Sequence, residues 1–131
     1  MILKTVISAV TFFASLPCAL VGFSCGETVV QTISDDFGLG SVDVQLVVCY
    51  KGKSLIANDI KICVQNQETQ YCFTPCVSNG LRPQISFVML GDGQRCLLVT
   101  VGDEKNNATH FMLYNLFCER ATLLEQWKIF A

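Results

Sequence analysis

The sequence has 131 residues, 51% of them hydrophobic, and nine Lys and Arg against eleven Asp and Glu give a formal net charge of −2. The basic residues are scattered rather than clustered, which leaves no electrostatic footprint for nucleic acid or an anionic membrane surface. A single histidine, His110, excludes two-histidine acid–base pairs and multi-histidine zinc centres.

The chain opens with one positive charge, Lys4, and a nearly all-apolar run from Thr5 to Leu16. Pro17 breaks that run, and the small residues Ala19, Gly22 and Ser24 follow. Charge, short apolar core and small-residue exit are the pattern of a secretory signal peptide over residues 1–19, with cleavage as late as residue 24. A transmembrane anchor would need about 20 apolar residues, more than this interrupted run supplies. The later apolar stretches, Leu46–Tyr50 and Phe111–Cys118, are strand-sized. The expectation is therefore export to the extracellular space or the secretory-pathway lumen, with no membrane span. Residues 20–131 then form one domain, slightly acidic at −3 once Lys4 is lost.

After the signal the spacing is ambiguous. Ser24-x-x-Glu27 matches a helix capping box, with Val30, Ile33 and Phe37 at helical intervals, while Thr28, Val29, Val30 and Thr32 favour a strand. The next segments are clearer. Val42, Val44, Leu46, Val48 and Tyr50 alternate on one face of a strand that ends at Lys51-Gly52-Lys53. Ile60–Val64 alternates again, and Gln70–Thr74 is a shorter strand. The Asn79-Gly80 turn leads to Ile85–Leu90, and Gly91-Asp92-Gly93 leads to Arg95–Val101. A polar tip at Asp103–Asn107 then returns the chain through Thr109–Cys118. Last, Leu123, Leu124 and Trp127 fit one or two helical turns, and Gln126–Phe130 fits a closing strand. At least six short strands at about ten-residue spacing point to a mostly β fold, a small disulfide-stapled sandwich.

Signal removal takes Cys18 and leaves seven cysteines, which in so short an exported chain means a disulfide framework drawn from Cys49, Cys63, Cys72, Cys76, Cys96 and Cys118. One cysteine is left over. Cys25, close to the new N-terminus, is the candidate for an intermolecular bond and a disulfide-linked homodimer, with Cys72 and Cys76 next. Zinc is disfavoured, because the only short spacing, Cys72-Phe-Thr-Pro-Cys76, is not repeated.

No residue cluster announces catalysis. His110 sits beside the polar tip, where an exposed or edge-strand histidine is the expectation. Asp35-Asp36 and Asp103-Glu104 read as solvated loop charges, and Gly38-Leu-Gly40 and Gly91-Asp-Gly93 read as turns. There is no GxSxG, HExxH or P-loop, so no catalytic residue, metal or cofactor is expected and the chain reads as a non-enzyme. Asn107-Ala-Thr109 is an N-glycosylation sequon on the hairpin tip.

Cys49 in an alternating strand, Cys96 in a later one and a hairpin after it resemble an immunoglobulin-like sandwich, with Gly91-Asp-Gly-Gln-Arg-Cys96-Leu-Leu-Val standing for its sixth strand. The sequence departs from that pattern in two places: no tryptophan follows Cys49, and Gln94 stands where a tyrosine is expected. Within the class the chain is similar to the secreted immunoglobulin-like accessory proteins of coronaviruses. The resemblance implies a Cys49–Cys96 bond across two sheets and a non-enzymatic glycoprotein that binds host immune or cell-surface proteins. A second resemblance is to secreted fungal effectors with an α+β, ribonuclease-like fold. It rests on Phe23-Ser-Cys25, a helix near residues 26–37 and Cys118, and one histidine would leave that fold catalytically inactive. A host secreted defence or carrier protein is the third reading.

Overall fold

The structure, a computed structural model, describes residues 26–36, 41–50, 55–67, 69–117 and 119–131. The expected signal peptide, Cys25 and Cys118 lie outside them. Eight strands account for most of the described residues, and there is no helix among them. They are β1 (Glu27–Asp36), β2 (Ser41–Tyr50), β3 (Ile56–Gln65), β4 (Gln70–Phe73), β5 (Gly80–Met89), β6 (Arg95–Asp103), β7 (Ala108–Leu116) and β8 (Ala121–Phe130).

Both ambiguous ends are strands. The helix near residues 26–37 is not formed among the described residues of that span, where Glu27–Asp36 is strand. Glu27, read as one half of a capping box, instead reaches across β2 to Lys61 on β3 (2.7 Å), and the β-branched residues behind it pair with β2. The ribonuclease-like reading loses its helix with this correction. At the other end, β8 pairs with β7 along its length, and a register shift beside Leu124 explains why adjacent leucines mimicked helical spacing.

All ladders are antiparallel, in the order β1-β2-β3-β5-β6-β7-β8. β3 divides its outer edge between two partners. Its C-terminal half pairs with β4 through a tight hairpin, in which Asn66 Oδ1 accepts the Thr69 N–H, and its first residues, Ile56 and Ala57, pair with Leu81 and Gly80 of β5. Gly80 makes that junction possible. Its φ is 144°, and any side chain there would collide with the Gly102 carbonyl and Val101.

From this junction the sheet folds over on itself. Val44, Leu46 and Val48 of β2 and Ile60, Ile62 and Val64 of β3 share one core with Ile85 of β5, Leu97, Val99 and Val101 of β6, and Met112 and Tyr114 of β7. β2 and β6 are not ladder neighbours, so they can share a core only face to face. The alternating face read from the sequence of β2 is the one that faces this core. Its other face is covered as well: Val47 packs against Cys63 and Cys72, and Ser34 donates to Asp43 at 2.6 Å.

Folding over brings the free edge of β1 to β5. Gln31 closes the seam with both ends of its carboxamide: Nε2 donates to the Ile85 carbonyl (2.7 Å) and Oε1 accepts the Ile85 N–H (2.9 Å). An Asp35–Arg95 ion pair ties β1 to β6 beside it.

Candidate functional site

Two of the disulfide candidates are joined. Cys63 and Cys72 sit directly opposite each other in the β3–β4 ladder and form a disulfide. Cys49 is also disulfide-bonded, and every other described cysteine is accounted for, so its partner lies outside the described residues. The expected Cys49–Cys96 bond is not formed. Cys96 is a free, buried thiol on β6, and Cys76 is a free, exposed thiol after β4. The reason is geometric: Cys49 lies at the far end of β2 opposite Glu27, while Cys96 opens β6 opposite Val88.

The two free thiols differ in chemistry. Burial raises the Cys96 pKa, with the nearby Asp92 charge adding to it, so Cys96 stays protonated and unreactive. Cys76 faces solvent next to Tyr114. The Tyr114 hydroxyl accepts the Cys76 N–H (3.0 Å) and donates to Cys76 Sγ (3.7 Å); burial pushes its own pKa up to about 12, so it remains a donor at neutral pH. Under native conditions, Cys76→Ser is expected to lower the maleimide-reactive thiol count by one, whereas Cys96→Ser lowers it only after unfolding in denaturant. Equal native labelling of the two variants would contradict this placement.

The β6–β7 hairpin end gathers the titratable groups. Asp103 ends β6, and Asn106 in the turn satisfies it twice, through its backbone N–H (3.2 Å) and Nδ2 (2.7 Å). These bonds, with His110 Nε2 3.4 Å away, hold the Asp103 carboxyl below its ordinary pKa. His110 is not on an edge or in open solvent as expected. It is half-buried on β7, between β6 and β8. The Asp103–His110 pair opens into a cleft of 260 Å3 whose lining offers no hydroxyl or thiol to serve as nucleophile. The chief work of this carboxylate is therefore to lock its own turn. A larger neighbouring cleft of 460 Å3 has Arg82, Gln84, Thr100, Asn107 and Thr109 in its walls. Asn107, the sequon residue, is exposed at the end of the turn with φ 49°.

The other distinctive surface lies on β8, which ends the sheet and pairs only with β7. Trp127 stacks on Phe111 of β7, with ring centroids 5.4 Å apart and planes 3° from parallel. Its neighbours stay in water: Trp127 is 40% exposed, Ile129 54% and Phe130 65%, and Leu124 is exposed as well. Sequence reading saw these residues only as a helix or closing strand and gave them no role. The missed signal is that a terminal strand with large apolar residues on both faces cannot bury them all.

Among the described residues, no three His, Cys, Asp or Glu side chains come together as a metal site, and no helix is long and apolar enough to cross a membrane. No protein-family model, curated protein or solved structure matches this chain.

Proposed function

We propose that this chain is an exported, non-enzymatic binding glycoprotein that uses β8 to engage a host immune or cell-surface protein, as its resemblance to coronavirus accessory proteins implies. The observation that carries the reading is the set of exposed apolar side chains on the two faces of β8, Trp127 and Ile129 on one and Phe130 on the other, with Leu124 exposed between them and the start of the strand, along an open sheet edge. Large apolar side chains left in water on both faces of an end strand mark a surface suited to a partner, and tryptophan is among the residue types most enriched in binding hot spots. The core shared by β2–β3 and β5–β7 supports a two-layer sandwich. The immunoglobulin form of that sandwich has less behind it: the strands follow one another as a meander rather than a Greek key, and Cys96 carries no bond.

Binding of the purified, tagged chain to intact mammalian cells by flow cytometry tests the reading. Trp127→Ser is expected to weaken binding about 30-fold, the size of a hot-spot loss of ~2 kcal/mol. Losing the stack on Phe111 should lower its thermal midpoint by several degrees without unfolding it at the assay temperature, because the ring is partly in solvent. A parent chain that binds no cell type, or a Trp127→Ser variant that binds as well as the parent, would overturn the proposal.

A further inference from the structure

The larger cleft at the β6–β7 hairpin end has an unusual wall. Asn107, the residue to which an oligosaccharide would be joined, is itself part of the lining, and Thr109, the other recognition residue of the sequon, stands beside it. A sugar bonded to Asn107 therefore starts its course from a residue of the cleft wall. The turn also fixes where that sugar begins. Asn107 is held at φ 49°, its carbonyl accepts the Ala131 N–H (2.9 Å), and the Asp103–Asn106 bonds lock the residues before it.

The opposite wall suits the same occupant. Arg82 sits there with φ 45°, an uncommon and costly conformation for a residue with a side chain. It falls within a register shift between Leu81 and Gln84, next to the buried Pro83. Arg82 is exposed and has no ion-pair partner among the described residues. With Gln84, Thr100 and Thr109 it offers hydrogen-bond donors and acceptors toward the cleft, while Leu81 and Ala108 supply small apolar patches. A free anion is a poor match, since Asp103 and Glu104 share the lining and offset Arg82. A neutral, hydroxyl-rich group carrying one amide and one methyl is a good one. The volume of 460 Å3 falls within the ~300–1,000 Å3 typical of small-molecule sites.

We infer that the cleft between Arg82 and Asn107 is the seat of the first N-acetylglucosamine of the Asn107 glycan, which packs against β5 and β6 instead of projecting into solvent. This rests on the reading of the chain as an exported glycoprotein. The sugar then covers the Leu81–Gln84 bulge and makes the glycan a structural part of this end of the sheet.

The test uses the full chain secreted from mammalian cells in three forms. One is intact, one is trimmed by an endoglycosidase to a single N-acetylglucosamine, and one is Asn107→Gln. Amide hydrogen exchange is read at Arg82, Gln84, Thr100 and Gly102. The intact and single-sugar forms are expected to exchange alike, and the Asn107→Gln form about ten-fold faster at Arg82 and Gln84, with exchange in β2 and β3 unchanged. Arg82→Ala in the single-sugar form should reproduce that acceleration. Equal exchange in all three forms would show the glycan directed outward and overturn the inference, leaving the binding reading intact. A secreted chain with Asn107 unmodified would overturn it also. A chain that never enters the secretory pathway would sink the inference and the exported-glycoprotein reading together, which separates the two failures.

Discussion

Truncating Leu97 to alanine is expected to cost about 3–5 kcal/mol, measured as the shift in urea unfolding free energy with the disulfides intact. Leu97 is fully buried near the start of β6, within the core that β6 shares with β2, β3 and β7. Strands on every side restrain collapse into the vacated space, so the cavity term adds to the lost transfer free energy. Against a typical domain stability of ~5–15 kcal/mol, this one change removes about a fifth or more of what holds the fold. Leu55→Ala supplies the contrast: Leu55 is 82% exposed, and its loss should stay within about 0.5 kcal/mol. A Leu97→Ala unfolding free energy within ~1 kcal/mol of the parent would mean that β2 and β6 do not share one core.

The second large effect is expected at Gln31. Gln31→Ala strips the Ile85 backbone, on a residue only 2% exposed, of both an acceptor and a donor partner in one change. Leaving a buried polar group unpaired costs about 1–3 kcal/mol, so the pair should cost about 2–6 kcal/mol. The neighbouring Asp35–Arg95 ion pair cannot replace it. Both side chains are partly in solvent, where such pairs contribute at most about 1 kcal/mol. Gln31→Glu keeps an acceptor for the Ile85 N–H but turns a carboxylate toward the Ile85 carbonyl, so it should not restore the seam at neutral pH. Hydrogen exchange at the Ile85 amide reports this directly. Exchange in Gln31→Ala no faster than in the parent would show that something else closes β1 onto β5.

The strands were legible where alternation was clean. Val42 to Tyr50 and Ile60 to Val64 carry their period-two pattern into the core faces of β2 and β3. The ends were less legible because local cues competed with tertiary contacts. The serine and glutamate spacing before β1 copies a helix start, but Glu27 has Lys61 within reach and uses it. Leu123 and Leu124 copy a helical face because Leu124 is itself the extra residue at the register shift. The disulfide was legible in principle: once Ile60–Val64 and Gln70–Thr74 are read as strands, a short hairpin sets Cys63 opposite Cys72. The resemblance to an immunoglobulin domain drew attention to Cys49 and Cys96 instead. Asn107 was placed correctly at a hairpin tip, whereas the cleft beneath it depends on Arg82, in a bulge that nothing in the local sequence announces. Gln31 was invisible for the same reason, because its partner is 54 residues away.

That separation gives the seam a place in time. Each ladder of the meander joins strands that are close in sequence, so it forms as soon as the second strand exists, and contacts this local favour rapid folding. β1 is the exception. It has β2 on one side at once, but its other edge must wait for Ile85, which at ~5–20 residues per second of synthesis is a delay of roughly 3–10 s. Throughout that interval Val29 and Val30 lie on a strand with one edge unpaired, the arrangement most prone to pairing with a foreign strand. The carboxamide of Gln31 thus closes an edge that the nascent chain has to carry open until β5 is made.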